Sequence, residues 1–233
     1  MKRKKKIETS LIILTRNEIS GVIAMLGKIP FQAVDEYFAV DYRSTDGTVE
    51  YFTEHHIPII RQKNPGRSEA FMIGARAAKG NILIFFSPDG NEDPRDIPKL
   101  ITAIRKGADL AIASRFMKGS RNEEDGKTFK WRKWANQGFT AVVNFMWGGR
   151  ITDSINGYRA IRRDSFTRLH IDAKGFAVEF QMSIRALKLG MRIAEFPTHE
   201  GERIWGKSTS YAIPTGLQFI RYLMREIFIG KSF

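Results

Sequence analysis

The sequence predicts an α/β fold: a mainly parallel, Rossmann-like sheet flanked by helices, in a single domain that ends in an amphipathic helix. Three observations predict it. Short runs that are apolar throughout recur along the chain, with amphipathic stretches between them, as expected of strands covered on both faces. Clusters of Gly, Pro, Asp and Ser close these runs and turn the chain. Several runs also end on a polar residue, and in such sheets ligands bind beyond the carboxyl ends of the strands.

Taken in order, SLIILT (10–15) predicts a first strand, and Asn17-Glu18 opens a helix towards Lys28. YFAVDY (37–42) is a second strand, closed by STDGT, whose Ser, Asp and Gly make a turn and a helix start. IPIIR (57–61) is a third, followed by a turn and a helix in NPGRSEAFMIGARAAKG. NILIFF (81–86) is a fourth, and Asp93-Pro94 fits a cap with proline at the first helical position. ADLAIA (108–113) is a fifth. This arrangement lines up Thr15, Asp41, Asp89 and Arg115 along one sheet edge, because each falls at or just after a strand's end.

After residue 120 the texture changes. RNEEDGKT (121–128) is polar, and FKWRKWANQGFTAVVNFMW (129–147) predicts a helix with bases at its start. Its Phe and Trp side chains read first as packing residues, with lipid contact as the alternative. ITDSINGYRAIRRD follows, then a helix near 176–189, a strand RIAEFP (192–197) and a basic turn GERIWGKST (201–209). In the last segment Ile213, Leu217, Ile220, Met224 and Ile227 recur at helical spacing and read as a packing stripe. Phe219, Tyr222, Leu223 and Phe228 widen the apolar surface, so a helix lying on a membrane is the alternative.

Composition narrows the partners. A net charge of +13 over 233 residues points to an anionic partner: nucleic acid, a phosphorylated substrate or an anionic membrane surface. The chain has no cysteine, which excludes disulfides and thiol chemistry. MKRKKKIETS is basic, but no apolar h-region follows it and no run reaches the ~20 apolar residues of a spanning helix. A cytoplasmic, peripheral location is therefore expected, with the basic tail either solvated or drawn to anionic lipid. No helix-turn-helix, zinc spacing or aromatic RNA-binding signature supports nucleic acid. TRNEISG offers no Gly-rich loop of the kind a sugar nucleotidyltransferase carries. His55, His56, His170 and His199 lack metal-ligand spacing.

ILIFFSPDGNEDP (82–94) raises the sharpest question, because an apolar run there stops at an acidic turn. An Asp-x-Asp pair at such a place would hold a metal, but Ser87 stands first and only Asp89 remains. Magnesium keeps several waters and needs one or two protein carboxylates plus substrate phosphates. Asp89 could suffice, Asn91 can offer a carbonyl oxygen, and Glu92 is a spare whose direction the sequence does not reveal.

The series ILTRNE (13–18), VDYRSTDGT (40–48), NPGRSEA (64–70), SPDGNEDP (87–94), ASRFMKGS (113–120), TDSINGYRA (152–160) and ERIWGKS (202–208) resembles the family-2 glycosyltransferases. Within them it is most similar to the dolichol-phosphate mannose synthase and polyprenyl-phosphate glycosyltransferase branch. The resemblance implies a glycosyltransferase A-type fold in residues 10–209, between a basic tail (1–9) and a C-terminal amphipathic segment (210–233). It implies a nucleotide-sugar donor, magnesium or manganese, inversion at the sugar carbon and a polyprenyl or dolichyl phosphate acceptor at a membrane, directly or through a membrane-protein partner. Carried over by position, Leu14, Thr15, Glu18 and Asp41 line the nucleoside pocket and Arg67 comes near the donor. Asp89 and Asn91 hold the metal. Arg115, Arg132, Arg203 and Lys207 hold phosphates, and Asp153 lies near the reacting sugar. The alternatives are transfer to a glycan hydroxyl and an inactive, donor-binding relative.

The departures are specific. Besides Ser87, the family's usual proline and tyrosine give way to Leu14 and Arg16, and Tyr42-Arg43 stand where Asp-Gly is common. Asn136 stands where a serine is frequent, Gln181 replaces a frequent glutamate with Glu179 two residues away, and Thr209 replaces a lysine.

Overall fold

The computed structural model describes residues 7–126, 128–204 and 212–233. The elements are β1 (Thr9–Thr15), α1 (Ile19–Met25), β2 (Glu36–Asp41), α2 (Thr48–Glu54), β3 (Ile59–Arg61), α3 (Arg67–Ala77), β4 (Ile82–Phe86) and α4 (Ile97–Arg105). They continue with β5 (Leu110–Ser114), α5 (Trp131–Trp147), β6 (Arg159–Arg162), α6 (Arg163–Arg168), α7 (Val178–Lys188), β7 (Ile193–Pro197) and α8 (Ala212–Ile229). Lys207 and most of the basic tail and basic turn lie outside the described residues.

The strands form one seven-stranded sheet in the order β3-β2-β1-β4-β6-β5-β7. Every pairing is parallel except those of β6, which runs antiparallel between β4 and β5. The run RAIR was not expected as a strand, because four residues flanked by arginines carry little period-two signal. Alternation along β1 splits the core. Leu11 and Ile13 face Val22, Phe52, Leu100 and Ile104, while Ile12 and Leu14 face Phe71, Ala75, Val178 and Met182. Each Val, Leu, Ile, Phe or Met among these, when fully buried, contributes roughly 1.5–3 kcal/mol of transfer free energy.

Local chemistry sets the helix starts. Asp93 accepts the Arg95 N–H at 3.0 Å and Pro94 opens a 3-10 turn that runs into α4. The helix expected from Asn17 is shorter than predicted, running from Ile19 to Met25 before a 3-10 turn at 26–28. Its first N–H groups are served from the neighbouring loop, Ile19 by Asp46 (3.0 Å) and Glu18 by Thr48 (3.0 Å).

A third cluster joins α5, α7 and α8 through Val143, Phe180, Ile184 and Phe219. Here both packing expectations are corrected. α8 docks through Phe219, Tyr222 and Leu223 together with Glu226, so the stripe Ile213, Leu217, Ile220 and Met224 is exposed. Glu226 is fully buried and is held by Arg185 (2.9 Å) and Lys188 (2.7 Å) of α7. That buried charge network decides which of two apolar faces turns inward. On α5 the inward face is Phe139, Val143 and Trp147, leaving Phe129, Trp131, Trp134 and Phe145 exposed. Apart from Ile23 and Ile204, every exposed large apolar side chain among the described residues lies on or beside α5 and α8.

Candidate active site

The carboxyl ends of β1, β2, β4 and β5 bring the expected residues to one edge, where two adjoining cavities open. The first, of about 260 Å³, is lined by Leu14, Thr15, Glu18, Tyr42, Arg67, Ser87, Asp89 and Arg203. The second, of about 430 Å³, shares Arg67, Ser87, Asp89 and Arg203 and adds Asn91, Glu92, Arg115, Arg132, Glu200 and the α5 and α8 residues Phe139 and Phe219. Asp41 lines neither. It is fully buried, accepts the Ser44 N–H (3.2 Å) and hydroxyl, and lies 3.6 Å from Arg61. Its role in the structure is to fix the loop after β2. Two of the departures meet in that loop, with the Arg16 guanidinium 5.1 Å from the Tyr42 ring centroid.

The acidic turn after β4 is closely tied to the basic segment. Asp89 Oδ1 accepts the Asn91 N–H (3.0 Å), and its Oδ2 accepts Arg203 Nη2 (2.7 Å). Arg203 Nη1 donates to Glu18 Oε1 at 2.9 Å. The Asn91 amide donates to the Gly201 carbonyl (2.9 Å) and to Glu123 (3.3 Å), so its donor end faces away from Asp89's own contacts and its carbonyl is the end left to accept. Gly90 adopts a φ of 97° in the left-handed region, which glycine alone reaches without cost. It reverses the chain so that Glu92 returns to the end of β4, where its Oε2 accepts the Ser87 N–H at 2.7 Å.

Arg67 fills the space in front of Ser87. Its Nη1 donates to the Ser87 hydroxyl (3.2 Å) and its Nε to Glu179. Gly157, from the NGY turn, makes room for this, because a Cβ there would meet Arg67 Nη2 at 2.0 Å and Glu179 Oε1 at 2.9 Å.

Arg115 and Asp153 form a second ion pair. Arg115 Nε and Nη2 donate to Asp153 at 2.7 and 3.0 Å, and Glu200 stands 3.5 Å from Nη1. Asp153 is fully buried, takes further N–H donors from Ile155 and Asn156, and lines neither cavity. Burial alone would raise its carboxyl, but the Arg115 charge and hydrogen bonds hold it below the usual carboxylate range. It is Arg115 that lines the second cavity, with Asp153 behind it. Arg132 is freer, with Glu123 3.8 Å away.

Carboxylates crowd this edge. Burial raises the Glu18 and Glu92 carboxyls, and the Asp89 charge adds to both effects. Among the described residues no three acidic or histidine side chains form a complete metal cage. The set still fits a divalent ion that draws its remaining ligands from a diphosphate and water, since hard oxygen donors converge on one cavity. Sequence reasoning did not find Glu179 as the partner of Arg67, nor Glu200 and Glu123 as holders of Arg115 and Arg132. The one signal was their placement beside expected motifs.

The family model for Glycosyl transferase family 2 matches residues 10–169, and the chain belongs to that family. It is 33% identical over 215 residues to the undecaprenyl-phosphate mannosyltransferase of Micrococcus luteus, covering 84% of this chain and 85% of that one. It is 29% identical over 238 residues to the dolichol-phosphate mannosyltransferase of Pyrococcus furiosus, covering 94% of this chain and 63% of that one. Glucosyl-3-phosphoglycerate synthase from Mycobacterium tuberculosis, solved with Mn2+, UDP-glucose and phosphoglyceric acid, has the same fold. It superposes with a TM-score of 0.77 at 20% identity, over 97% of this chain and 81% of that one. The fold is thus the glycosyltransferase A type, and the chain is a glycosyltransferase by family.

Proposed function

We propose that this chain is an inverting hexosyltransferase that moves mannose or a glucose-type sugar from a nucleotide-sugar to a polyprenyl or dolichyl phosphate at a membrane surface. One observation carries the reading. The two cavities share a charged wall at Asp89 and Arg203, and the second is also walled by α5 and α8, the helices that carry most of the exposed apolar side chains. The names of the sequence relatives support the same acceptor class.

In this reading the donor's nucleoside lies along Leu14, Thr15 and Glu18, above the loop that Asp41 fixes. Its diphosphate reaches Arg203. A divalent magnesium or manganese ion held by Asp89, with Asn91 beside it, would supply counter-charge to the departing diphosphate. Arg132 and Arg115 receive the acceptor phosphate, with Lys207 assigned there by resemblance alone. Planar guanidinium forks suit this role. An acceptor phosphate oxygen attacks the anomeric carbon as the bond to the diphosphate breaks on the opposite face, inverting the centre. A phosphate with a second pKa near about 6 is already ionised, so no general base is needed. The buried, ion-paired Asp153 supports this acceptor over a glycan hydroxyl, which would need an accessible base.

The membrane contact is the apolar surface of α5 and α8. Lys130, Arg132 and Lys133 stand at the start of α5, with Arg221 and Arg225 on α8. With the net charge of +13, this fits an anionic bilayer surface on the cytoplasmic face, each base adding about 1 kcal/mol.

The test is transfer by purified protein from a panel of labelled nucleotide-sugars to a short polyprenyl phosphate, with magnesium, manganese or chelator. Metal-dependent transfer is expected. Absence of transfer to the lipid phosphate, with transfer to a glycan instead, overturns the reading.

A further inference from the structure

The family's first acidic position is occupied by Ser87, yet a carboxylate returns to the same place from elsewhere in the turn. Glu92 comes back to β4 because Gly90 reverses the chain, and its Oε2 accepts the Ser87 N–H at 2.7 Å. It lines the same cavity as Ser87, Asp89 and Asn91. The residue is 9% exposed. The Ser87 N–H is its one hydrogen bond among the described residues, and no cation there lies within ion-pair distance of it. Among the described residues its second oxygen carries no hydrogen bond. The neighbouring cation, Arg67, is already bound to Glu179 and to the Ser87 hydroxyl. A buried carboxylate so poorly paired is costly unless something cationic completes it.

We propose that Glu92 replaces the missing first carboxylate, so that Asp89 and Glu92 together hold the divalent ion at the donor diphosphate. The acidic pair is then conserved in space while displaced in sequence, from positions 87 and 89 to positions 89 and 92. Two carboxylates, a diphosphate and water satisfy magnesium or manganese. The inference rests on the donor site proposed above.

The test reads ion binding directly, through the EPR signal of Mn2+ titrated into the full chain, alone and with GDP or UDP. Glu92→Gln keeps an acceptor for the Ser87 N–H and removes the charge. It is expected to weaken Mn2+ binding roughly tenfold or more. Restoring the acid with Ser87→Asp in the Glu92→Gln background is expected to recover most of that loss. A carboxylate that merely braces the turn would not be rescued from position 87. Unchanged Mn2+ affinity in Glu92→Gln, or no recovery in the double variant, overturns the assignment. Nucleotide binding by calorimetry separates the two readings. A parent protein that binds GDP or UDP but no Mn2+ sinks the Glu92 assignment and leaves the transferase standing. One that binds Mn2+ as expected but neither nucleotide sinks the donor reading alone.

Discussion

Arg67 and Glu179, 112 positions apart in the chain, form an ion pair directly in front of the Ser87 hydroxyl. The pair ties α3 to α7 and walls the boundary between the two cavities. Gly157 leaves the space it occupies. Gly157→Ala is therefore expected to push the Arg67 guanidinium off Ser87 and to weaken nucleotide binding at least severalfold. Calorimetry with GDP and UDP checks this, and unchanged affinity would show that the pair does not shape the donor site.

Arg203 bridges Asp89 and Glu18 at the wall the two cavities share, where the proposed reading puts the donor diphosphate. Removing one such preorganised charge costs on the order of 10²–10³ in turnover. Arg203→Ala should lose about that much with the fold intact by circular dichroism.

Asp153 holds Arg115 from behind. In a lipid-phosphate transferase Asp153→Asn should hurt turnover less than Arg132→Ala or Arg203→Ala. Abolition of activity by the Asp153 change alone, with donor binding kept, would point to a hydroxyl acceptor and a general base.

The apolar faces of α5 and α8 should carry membrane attachment. Flotation with vesicles rich in anionic lipid is expected to recover the parent chain, and high salt should reduce it. Replacing Trp134, Phe145, Leu217 and Phe228 with Ser should abolish it. Equal flotation by that variant would remove these faces from the membrane.

Asp172 gives a pH signature. Burial would raise its carboxyl, but hydrogen bonds from Arg225 and Gln181 and the Arg185 charge hold it at about 2. An acid depressed in the folded state stabilises above its ordinary pKa, near about 4. That stability is lost as pH falls through about 2. Urea midpoints of parent and Asp172→Asn should therefore differ near neutrality and converge in acid. A gap that widens in acid would contradict the sign.

The sheet was legible because fully buried strands leave uninterrupted apolar runs, and the expected sites of β1 to β5 hold to within two residues or so at each end. The strand β6 was not, since RAIR borrows its burial from β4 and β5 on either side. At the site, residues at strand ends were readable from position alone, as with Thr15, Asp89 and Arg115. Their partners were not. Arg67 meets Glu179, and Arg115 meets Glu200, only through the tertiary fold. The faces of α8 were misjudged because a regular aliphatic stripe looks more like a packing seam than an aromatic face containing a glutamate. The buried cations of α7, invisible in the periodicity of α8, reverse that order.

Those cations also bear on how the chain is made. Arg185 and Lys188 are synthesised well before Glu226, the carboxylate that neutralises them inside the protein. A nascent chain elongated only as far as α7 can pair Arg185 with Asp172 but leaves Lys188 without its carboxylate. Closure of this side of the domain must therefore wait until α8 has left the ribosome. The helix that leaves an apolar face exposed is thus also the one that closes the core behind it.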